Sequence, residues 1–446
     1  MLGNKMVENS PTITIVGGGL AGTLMTIFLA REGFAVDLYE KRPDPRLERT
    51  EPGKSINLAL SARGIDALQR IGLKEEVLKL AIPMRGRMIH DREGKLRFQP
   101  YGVSDSEVLH SVSRAGLNAL LLDASEKVPN VRLHFNHKCK AIDWKQSRIL
   151  FSTRETQPNE HDVPFELLIG ADGALSQVRY QMQRLPRFQL AQDYLEHSYK
   201  ELTIPPTPEG DFALEPNALH IWPRDDFMLI ALPNADRSFT CTLFCPHEGE
   251  RSFATLNNRQ AVEKFFLETY PDAYRLMSRL IDDFFANPTG DLITVRCAPW
   301  HYRDRIVLIG DAAHAVVPFY GQGMNAAFED CTVLIDCLKR NAPHFEFALR
   351  EYEMLRKPHT DTLADLSLEN YIEMRRKTAS PVFLTLRLIE NALHKIFPRW
   401  VMSLHGIVSF TCVPYRQCVE RIRLQNRVFG ALCLSLVVAL LCASIF

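Results

Sequence analysis

Near the start of the chain, three glycines are spaced as G-x-G-x-x-G between an apolar run and a helical pattern. Residues 12–16 read as a short β-strand, and residues 23–31 show the apolar spacing of a helix. Gly17 permits a tight turn, Gly19 lets a pyrophosphate approach the backbone, and Gly22 lets helix and strand pack closely. The phosphates would then meet the positive end of the helix dipole. In this context the spacing predicts a dinucleotide site.

An acidic residue follows the next predicted strand. Residues 35–39 read as this strand, and Glu40 comes eighteen residues after Gly22. A carboxylate at this place can hold the hydroxyls of an adenosine ribose, and it repels a 2'-phosphate. We therefore expect FAD or NAD, rather than NADPH, as the resident nucleotide.

Two aspartates follow later apolar strands in the same way. Asp172 comes after the strand predicted at 167–170, and Asp311 comes after the strand predicted at 306–309. Ligands of open α/β folds bind at the carboxyl ends of the strands, so both aspartates are expected near the nucleotide. A single Gly-Asp after a strand is more often a turn or a helix cap. His314 is interpreted as a packed or capping histidine rather than a base.

A second glycine pattern, Gly321-x-Gly323-x-x-Ala326, opens a helix that is predicted to run to about Lys339. It mimics the first fingerprint, but no clear strand precedes it and no strand ending in an acid follows it. We interpret it as a helix N-terminus that faces the pyrimidine edge of a flavin, where its N–H groups would stabilise negative charge. The chain then has one dinucleotide fold and one resident cofactor.

The elements that must position these residues indicate an α/β fold, with a Rossmann-like FAD-binding domain interleaved with a β-sheet substrate domain. Further strands are predicted at 199–202, 220–222, 227–232 and 239–244, in a sheet over the flavin. Helical patterns from about 345 to 395 would form a C-terminal cap. The predicted ranges are 11–83, 105–180 and 290–340 for the FAD-binding domain, 84–104 and 181–289 for the substrate domain, 341–427 for the cap and 428–446 for an apolar tail.

Composition argues against several classes of partner. The chain has 446 residues with 53 basic and 53 acidic side chains, so no net field attracts nucleic acid. Its ten cysteines include no C-x-x-C pair, which argues against zinc and against a thioredoxin-like motif, and no metal is expected. Cys241 and Cys245 lie in an apolar, strand-like run and are interpreted as buried thiols in a reducing compartment.

The last nineteen residues, 428–446, carry no charge and follow Arg416, Arg421, Arg423 and Arg427. A helix of this length spans about 28 Å, close to the hydrocarbon thickness of a bilayer. The pattern predicts a transmembrane tail anchor in a lipid bilayer, with the rest of the chain on the cytosolic side. The membrane would be the mitochondrial outer membrane in a eukaryote and the cytoplasmic membrane in a bacterium. A buried C-terminal helix is the alternative, but such a helix normally shows a polar stripe.

The fingerprint and the segments around Asp172 and Asp311 resemble the signatures of class A flavoprotein monooxygenases. Longer strings resemble the kynurenine 3-monooxygenase family within that class, and the resemblance covers nearly the whole chain. The matching strings are KSINLAL (54–60), PMRGRMIH (83–90), QPYG (99–102), LEPNALHIWPR (214–224), SFTCTLF (238–244), VPFYGQGMN (317–325) and ENYIEM (369–374).

The resemblance implies an enzyme that binds FAD tightly and uses NADPH and O2 as co-substrates. Its substrate would be L-kynurenine, hydroxylated at the ring carbon ortho to the amino group to give 3-hydroxykynurenine. The oxygen would come from a flavin hydroperoxide, so no side chain is expected to act as a catalytic acid or base.

The resemblance also implies the residues of the site. Arg87 and Tyr101 would hold the substrate carboxylate, since a guanidinium offers a bidentate fork and a tyrosine hydroxyl adds one directed bond. His405 stands where the family has a tyrosine, which leaves its place in the site open. The implied FAD contacts are Gly17, Gly19, Ala21, Gly22, Tyr39, Glu40, Lys41, Arg42, Ala59, Arg114, Cys139, Asp311, Gly323, Met324 and Asn325. The implied substrate contacts are Arg87, Tyr101, Phe319, Asn370 and His405.

Two other functions stay open at this point. A flavin hydroxylase of this kind could act on a phenol, a quinone precursor or a lipid, although Arg87 speaks against a neutral lipid. A non-catalytic protein of similar fold could escort a prenylated partner, and it would need no flavin. The intact segment around Asp311 and the GQGMN string at 321–325 favour the enzyme.

Overall fold

Strands and helices follow one another along the computed structural model, which describes residues 12–47, 57–102, 104, 107–153, 159–376 and 403–443. The strands are β1 (Thr12–Val16), β2 (Ala35–Tyr39), β3 (Asn57–Leu60), β4 (Ile82–Met84), β5 (Gly86–His90), β6 (Leu96–Pro100), β7 (Leu109–Ser113), β8 (Val131–His134), β9 (His137–Asp143), β10 (Arg148–Thr153), β11 (Glu160–Pro164), β12 (Leu167–Gly170), β13 (Gln189–Ile204), β14 (Ala218–Arg224), β15 (Phe227–Pro233), β16 (Phe239–Pro246), β17 (Thr289–Ala298), β18 (His301–Tyr302) and β19 (Ile306–Leu308). The helices are α1 (Leu20–Arg31), α2 (Ala62–Arg70), α3 (Lys74–Leu80), α4 (Arg114–Glu126), α5 (Gln177–Met182), α6 (Arg259–Thr269), α7 (Pro271–Tyr274), α8 (Leu280–Ala286), α9 (Asp311–His314), α10 (Gly323–Asn341), α11 (Phe345–Arg376), α12 (Leu404–Phe410) and α13 (Tyr415–Ala443), and a 3-10 turn covers Pro318–Tyr320.

The first sheet contains the strands predicted to hold the nucleotide. Its order is β18-β19-β12-β1-β2-β8, and β1 runs parallel to both β2 and β12. Ile13 and Ile15 of β1 are fully buried, as expected for a central parallel strand with both faces covered. Since β1, β12 and β19 are parallel neighbours, their carboxyl ends meet at one edge of the sheet. The glycine turn after β1 and Asp311 after β19 are thereby brought together.

The second large sheet has the order β17-β13-β16-β15-β14-β5-β6. Its neighbours are antiparallel except β5 and β14, which run parallel. Alternate side chains point to its two faces: Trp222 and Phe239 pack in the cluster that includes side chains of α6 and α8, and Met228 and Phe244 pack on the other face. The four strands predicted for this sheet are confirmed, with the first of them lying inside the sixteen-residue β13. Two three-stranded sheets, β11-β10-β9 and β3-β7-β4, complete the described β structure.

The cysteines of the second sheet are free thiols in the core. Cys241 and Cys245 are both fully buried, which confirms the sequence interpretation. Burial raises the pKa of both thiols, that of Cys245 to about 12, so neither is a nucleophile at neutral pH.

The C-terminal region begins with a long helix. The helical pattern predicted from residue 345 is confirmed for the 32 residues of α11, and residues 377–402 of the predicted cap lie outside the described residues. Most side chains of the predicted anchor at 428–446 also lie outside them. Among the helices that the structure describes, none combines the length and the apolarity needed to cross a bilayer.

Candidate active site

The glycine turn between β1 and α1 leaves open space at one position only. Gly17 has a φ of +113°, and a Cβ added there would lie 2.4 Å from the Ala171 carbonyl oxygen. A Cβ added at Gly22 would lie 2.0 Å from the Gly17 carbonyl oxygen, whereas a Cβ at Gly19 would meet nothing within 4 Å. Gly17 and Gly22 are therefore required by the packing of the turn. Gly19 opens instead on the space that a pyrophosphate would need, at a helix start without a side-chain cap.

Glu40 closes this turn from the second strand. Its Oε2 accepts a hydrogen bond from the Gly18 backbone N–H at 2.7 Å, and its Oε1 accepts one from the Arg42 side-chain Nε at 2.8 Å. Burial alone would raise the pKa of Glu40, but the hydrogen bonds and charge of Arg42 and the Gly18 N–H outweigh it and lower the pKa. The carboxylate is therefore ionised at the end of β2, where the ribose of a dinucleotide would lie.

The Asp311 segment meets the glycine turn directly. Gly310 has a φ of +58°, and a Cβ added there would lie 3.3 Å from the Ala21 Cβ and 3.2 Å from the Ala327 Cβ. Asp311 opens α9 immediately afterwards and lines the same cavity as Gly19 and Ala21. The close approach that the strand order predicts is thus present in the structure.

The start of α10 forms another wall of this cavity. Gly323 and Met324 line it, and the N-terminus of α10 has no side-chain cap, so its first amides can face a ligand. Asn325 does not line the cavity. Its side chain accepts a hydrogen bond from the Ser61 N–H at 2.9 Å and donates one to the Ala59 carbonyl at 2.8 Å. Asn325 therefore holds the β3–α2 turn, including the cavity residue Ala59, against α10.

Asp172 is a helix cap and does not line the cavity. Its carboxylate accepts hydrogen bonds from the Gln177 N–H at 2.6 Å, from the Val178 N–H at 3.1 Å and from the Ser176 hydroxyl. Burial raises the pKa of Asp172 although these hydrogen bonds oppose it. The neighbouring Ala171 and residues 173–174 line the cavity in its place.

His314 is packed, as the sequence interpretation holds. Its Nε2 lies 2.6 Å from Asp330 Oδ2, which also accepts a hydrogen bond from the Gly310 N–H at 2.8 Å. Arg356 Nε donates to the other oxygen of Asp330 at 2.7 Å. Burial favours a raised pKa for Asp330, but the charges of His314 and Arg356 outweigh it and lower the pKa. This charged group supports the Asp311 segment from behind.

The residues predicted to hold the substrate carboxylate lie together in the wall of the same cavity. Arg87 on β5, Tyr101 and His405 all line it. The Arg87 guanidinium carbon lies 5.7 Å from the Tyr101 ring centroid, and the His405 ring stacks on Tyr101 at 5.1 Å and on Tyr320 at 5.9 Å. Arg87 Nε is buried and has no hydrogen-bond partner among the described residues. Arg87 also shares a side-chain hydrogen bond with Tyr101, and its guanidinium belongs to the cavity lining, where a cation suits an anionic group of a ligand.

Two predicted substrate residues have different positions. Phe319 is buried in the cavity wall and stacks on Tyr371, with ring centroids 4.3 Å apart. Asn370 does not line the cavity, and its Nδ2 donates a hydrogen bond to the Phe319 carbonyl at 2.6 Å. Asn370 therefore acts on the cavity through the backbone of Phe319.

The predicted residues fall into two groups by position. Those that line the cavity, whose volume is about 420 Å³, are Gly19, Ala21, Ala59, Arg87, Tyr101, Arg114, Asp311, Phe319, Gly323, Met324 and His405. Those that do not line it are Gly17, Gly22, Tyr39, Glu40, Lys41, Arg42, Cys139, Asn325 and Asn370. Tyr39 stacks between His134 and Phe151 at 4.4 and 4.2 Å, and Cys139 is buried with its pKa raised to about 12 by desolvation.

Sequence reasoning missed the apolar wall of the cavity. The second sheet contributes alternate residues of two strands, from Met228 to Leu232 on β15 and from Thr240 to Phe244 on β16. Their period of two along predicted strands was the available signal, but the sequence does not say which face meets the ligand. Tyr199, whose pKa is raised by burial, and Asp291 were also missed, and they line the cavity beside Arg114.

The residues present fit an FAD. The open space at Gly19, the uncapped starts of α1 and α10, and Asp311 lie around one cavity, and the ionised Glu40 stands at the end of β2. Apolar sheet residues and Arg87 line the same cavity, and Arg87 Nε has no partner among the described residues.

Known proteins are similar to this chain in sequence or in fold. The FAD binding domain family matches residues 10–365. The chain is 46% identical over 405 residues to a kynurenine 3-monooxygenase of Myxococcus xanthus, covering 91% of this chain and 87% of that protein. It is 44% identical over 431 residues to a kynurenine 3-monooxygenase of Dictyostelium discoideum, covering 94% and 92%. The crystal structure of 2-methyl-3-hydroxypyridine-5-carboxylic acid oxygenase superposes with a TM-score of 0.68 at 19% identity, covering 84% and 95%, which shows a common fold.

Proposed function

The chain belongs to the kynurenine 3-monooxygenase family, and from this membership and the geometry of the cavity we infer that it hydroxylates L-kynurenine with FAD, NADPH and O2. The observation that carries the inference is a single cavity that is lined both by nucleotide-binding features and by Arg87, a cation whose Nε has no partner among the described residues. An amino acid with an aromatic ring can place its carboxylate at that arginine and its ring toward the flavin.

Redox chemistry is supplied by FAD when it is bound, with electrons taken from NADPH and oxygen taken from O2. The protein has to orient the substrate ring and keep water away from it. Arg87 would bind the substrate carboxylate, and Tyr101 would add a hydrogen bond from its hydroxyl. Burial raises the pKa of Tyr101, against the opposing charge of Arg87, so this hydroxyl stays protonated and can donate.

The apolar wall of the cavity keeps water away from the substrate ring. Met228, Ile230 and Phe244 project from neighbouring strands into the cavity, and Phe319 closes it from the 3-10 turn. Such a wall offers no hydrogen bonds to water beside the ring. The aniline nitrogen of the substrate activates its own ring, so no side chain has to remove a proton before oxygen is transferred.

The test measures NADPH oxidation by the purified yellow protein with and without L-kynurenine, and identifies the product. We expect substrate-stimulated oxidation and 3-hydroxykynurenine. A colourless, flavin-free protein, or stimulation by other aromatic compounds but not by L-kynurenine, would contradict the proposal.

Substitution of Arg87 separates recognition of the carboxylate from recognition of the ring. Arg87→Met should raise KM for L-kynurenine by roughly ten- to a hundred-fold, the loss of a charge-assisted hydrogen bond, with FAD content unchanged. Kynuramine lacks the carboxylate, so its KM should not change. Arg92→Met is the matched control, because Arg92 is exposed and pairs with Asp225 at the surface.

We propose further that residues 428–446 attach the protein to a membrane, with its catalytic body on the cytosolic side. The support is the run of nineteen uncharged residues behind four nearby arginines. Full-length protein expressed in cells should float with membranes in a density gradient, and a chain ending at Arg427 should not. Equal flotation of the two chains would refute the anchor.

A further inference from the structure

The helix that carries His405 into the cavity is short, and it is held mainly by its neighbours. α12 spans seven residues, Leu404–Phe410, and it packs on α2 and on the start of α13. A helix of this length is not stable alone, so its position depends on tertiary contacts. Whatever fixes α12 therefore also fixes the place of His405 beside Tyr101.

Arg63 makes those contacts from α2. Its side chain is almost completely buried, and its two terminal nitrogens donate hydrogen bonds to the carbonyls of Val408 and Val413. Its guanidinium carbon lies 4.0 Å from the centre of the Tyr415 ring. Val408 lies in the last turn of α12, where carbonyls have no partner within the helix and a cation is favoured. One side chain thus holds the end of α12, the following loop and the start of α13.

The charge of Arg63 is balanced inside the protein. Glu329 Oε2 lies 3.4 Å from Arg63 Nε, outside hydrogen-bond geometry but within ion-pair distance. The same carboxylate binds Arg356, whose Nε pairs with Asp330 at 2.7 Å. Two arginines and two carboxylates therefore alternate in the core. Removing the charge of Arg63 leaves this buried group with a net negative charge, so a neutral replacement acts on the fold as well as on the site.

The contacts of Arg63 also extend, through Tyr415, to the side of the cavity where the flavin is expected. The Tyr415 hydroxyl donates to Gln322 Oε1 at 3.1 Å, and the Ser61 hydroxyl donates to the same oxygen at 3.3 Å. Gln322 is the residue before α10, and Gly323 follows it in the cavity wall. The ring beneath Arg63 is therefore hydrogen-bonded to the element expected to face the flavin.

We propose that Arg63 is a positioning residue of the substrate site, which sets the place of His405 by holding α12 and thereby the affinity for the substrate carboxylate. This role rests on the proposed function, and Arg63 itself touches neither substrate nor flavin. Its direct contact with α12 and the following loop is through their carbonyls.

The test uses the full-length holoenzyme and Arg63→Lys. A lysine keeps a positive charge opposite Glu329 but cannot offer the planar fork that reaches two carbonyls at once. We expect KM for L-kynurenine to rise on the order of tenfold, more H2O2 to be released per NADPH, and FAD content to stay unchanged. Arg70→Lys is the matched control on the same helix, because Arg70 is partly exposed and pairs with Asp66 and Asp336. The control should match the wild type.

A double-mutant cycle distinguishes positioning from general loss of stability. If Arg63 acts through His405, Arg63→Lys should raise KM far less in a His405→Ala background than in the wild type. Additive effects on KM would overturn the proposal, and so would an unchanged KM in Arg63→Lys. If Arg63→Lys does not fold, the same cycle is run with Tyr415→Leu, which removes the ring that packs on the Arg63 guanidinium. Tyr415→Phe is its control, because it keeps that ring and loses only the bond to Gln322. A wild-type protein that does not hydroxylate L-kynurenine overturns the proposed function, whereas failure of the Arg63 proposal appears only in the variants.

Discussion

A buried chain of hydrogen bonds behind the substrate sheet predicts a specific loss of stability in acid. Asp272 Oδ2 lies 3.0 Å from His90 Nδ1, His90 Nε2 lies 2.8 Å from His220 Nδ1, and His220 Nε2 lies 2.8 Å from the Glu215 carbonyl. The carbonyl can only accept, so His220 must donate from Nε2. A neutral His220 therefore carries its proton on Nε2 and leaves Nδ1 as an acceptor.

The size of the expected loss of folding stability follows from the burial of His220, which is 1% exposed. Desolvation lowers the pKa of His220 from 6.5 to about 4, against the opposing hydrogen bond to Glu215, and the nearby His90 lowers it further. Because the folded pKa lies below the unfolded one, the contribution to stability is complete above about pH 6.5 and is lost as the pH falls toward 4. At about 1.4 kcal/mol per pH unit, the full loss is about 3 kcal/mol.

The assay compares urea unfolding of the wild type and of His220→Asn at about pH 7.5 and about pH 4.5, with FAD at a fixed concentration because bound ligand adds to stability. The asparagine side chain keeps an acceptor for His90 but does not titrate. Between the two pH values, the free energy of unfolding of the wild type should fall by roughly 2 to 3 kcal/mol more than that of the variant. Desolvation raises the pKa of Asp272, but the hydrogen bonds of His90 and Trp222 outweigh it and lower the pKa to about 2. Asp272 therefore stays ionised at both pH values. Equal losses in the two proteins would refute this account of His220.

Three further outcomes are expected. Gly19→Ala should fold, because its Cβ meets no protein atom within 4 Å, but its FAD affinity should fall on the order of tenfold or more. Gly22→Ala should lose roughly 3 kcal/mol of folding stability, because its Cβ would lie 2.0 Å from a backbone oxygen. Flavin absorbance measures the first effect, and the Tm of the flavin-free protein measures the second. Asn370→Ala removes the 2.6 Å hydrogen bond to the Phe319 carbonyl, and it should raise KM for L-kynurenine while flavin absorbance per chain stays constant, so an unchanged KM would count against this role. Among the cysteines that the structure describes, Cys412 is exposed and should react first with a thiol reagent, as peptide mass spectrometry would show.

Much of the nucleotide half of the site could be predicted because its signals are local. The turn at Gly17 and Gly22 is dictated by atoms within one strand-turn-helix unit and its neighbouring strand, and the structure reproduces the close contacts that motivated the prediction. Asp311 could be brought to the same edge from strand patterns alone, because parallel strands share a direction. Asp172 could not be assigned this way, since only the structure shows its carboxylate capping α5.

The substrate half depends on contacts between distant segments. Arg87 and Tyr101 belong to the β5–β6 hairpin, but His405 comes from α12 near the other end of the chain, and its spacing from them along the sequence carries no information about its distance in space. Resemblance to a family supplied these residues, and physical reasoning from the sequence did not. Asn370 and Asn325 show the limit of such transfer, because in this structure both act through the backbone of a neighbour.

The amino-acid sequence by itself determined the dinucleotide turn, the carboxylate at Glu40, four strands in each of the two large sheets and the family, since each depends on periodicity or on residues close along the chain. Only the tertiary structure decided which face of the second sheet lines the cavity, that Arg87 Nε has no partner among the described residues, and that Arg63 donates to the carbonyls of Val408 and Val413. Burial and the pairing of charges are properties of the packed chain, because they arise when segments hundreds of residues apart exclude water together.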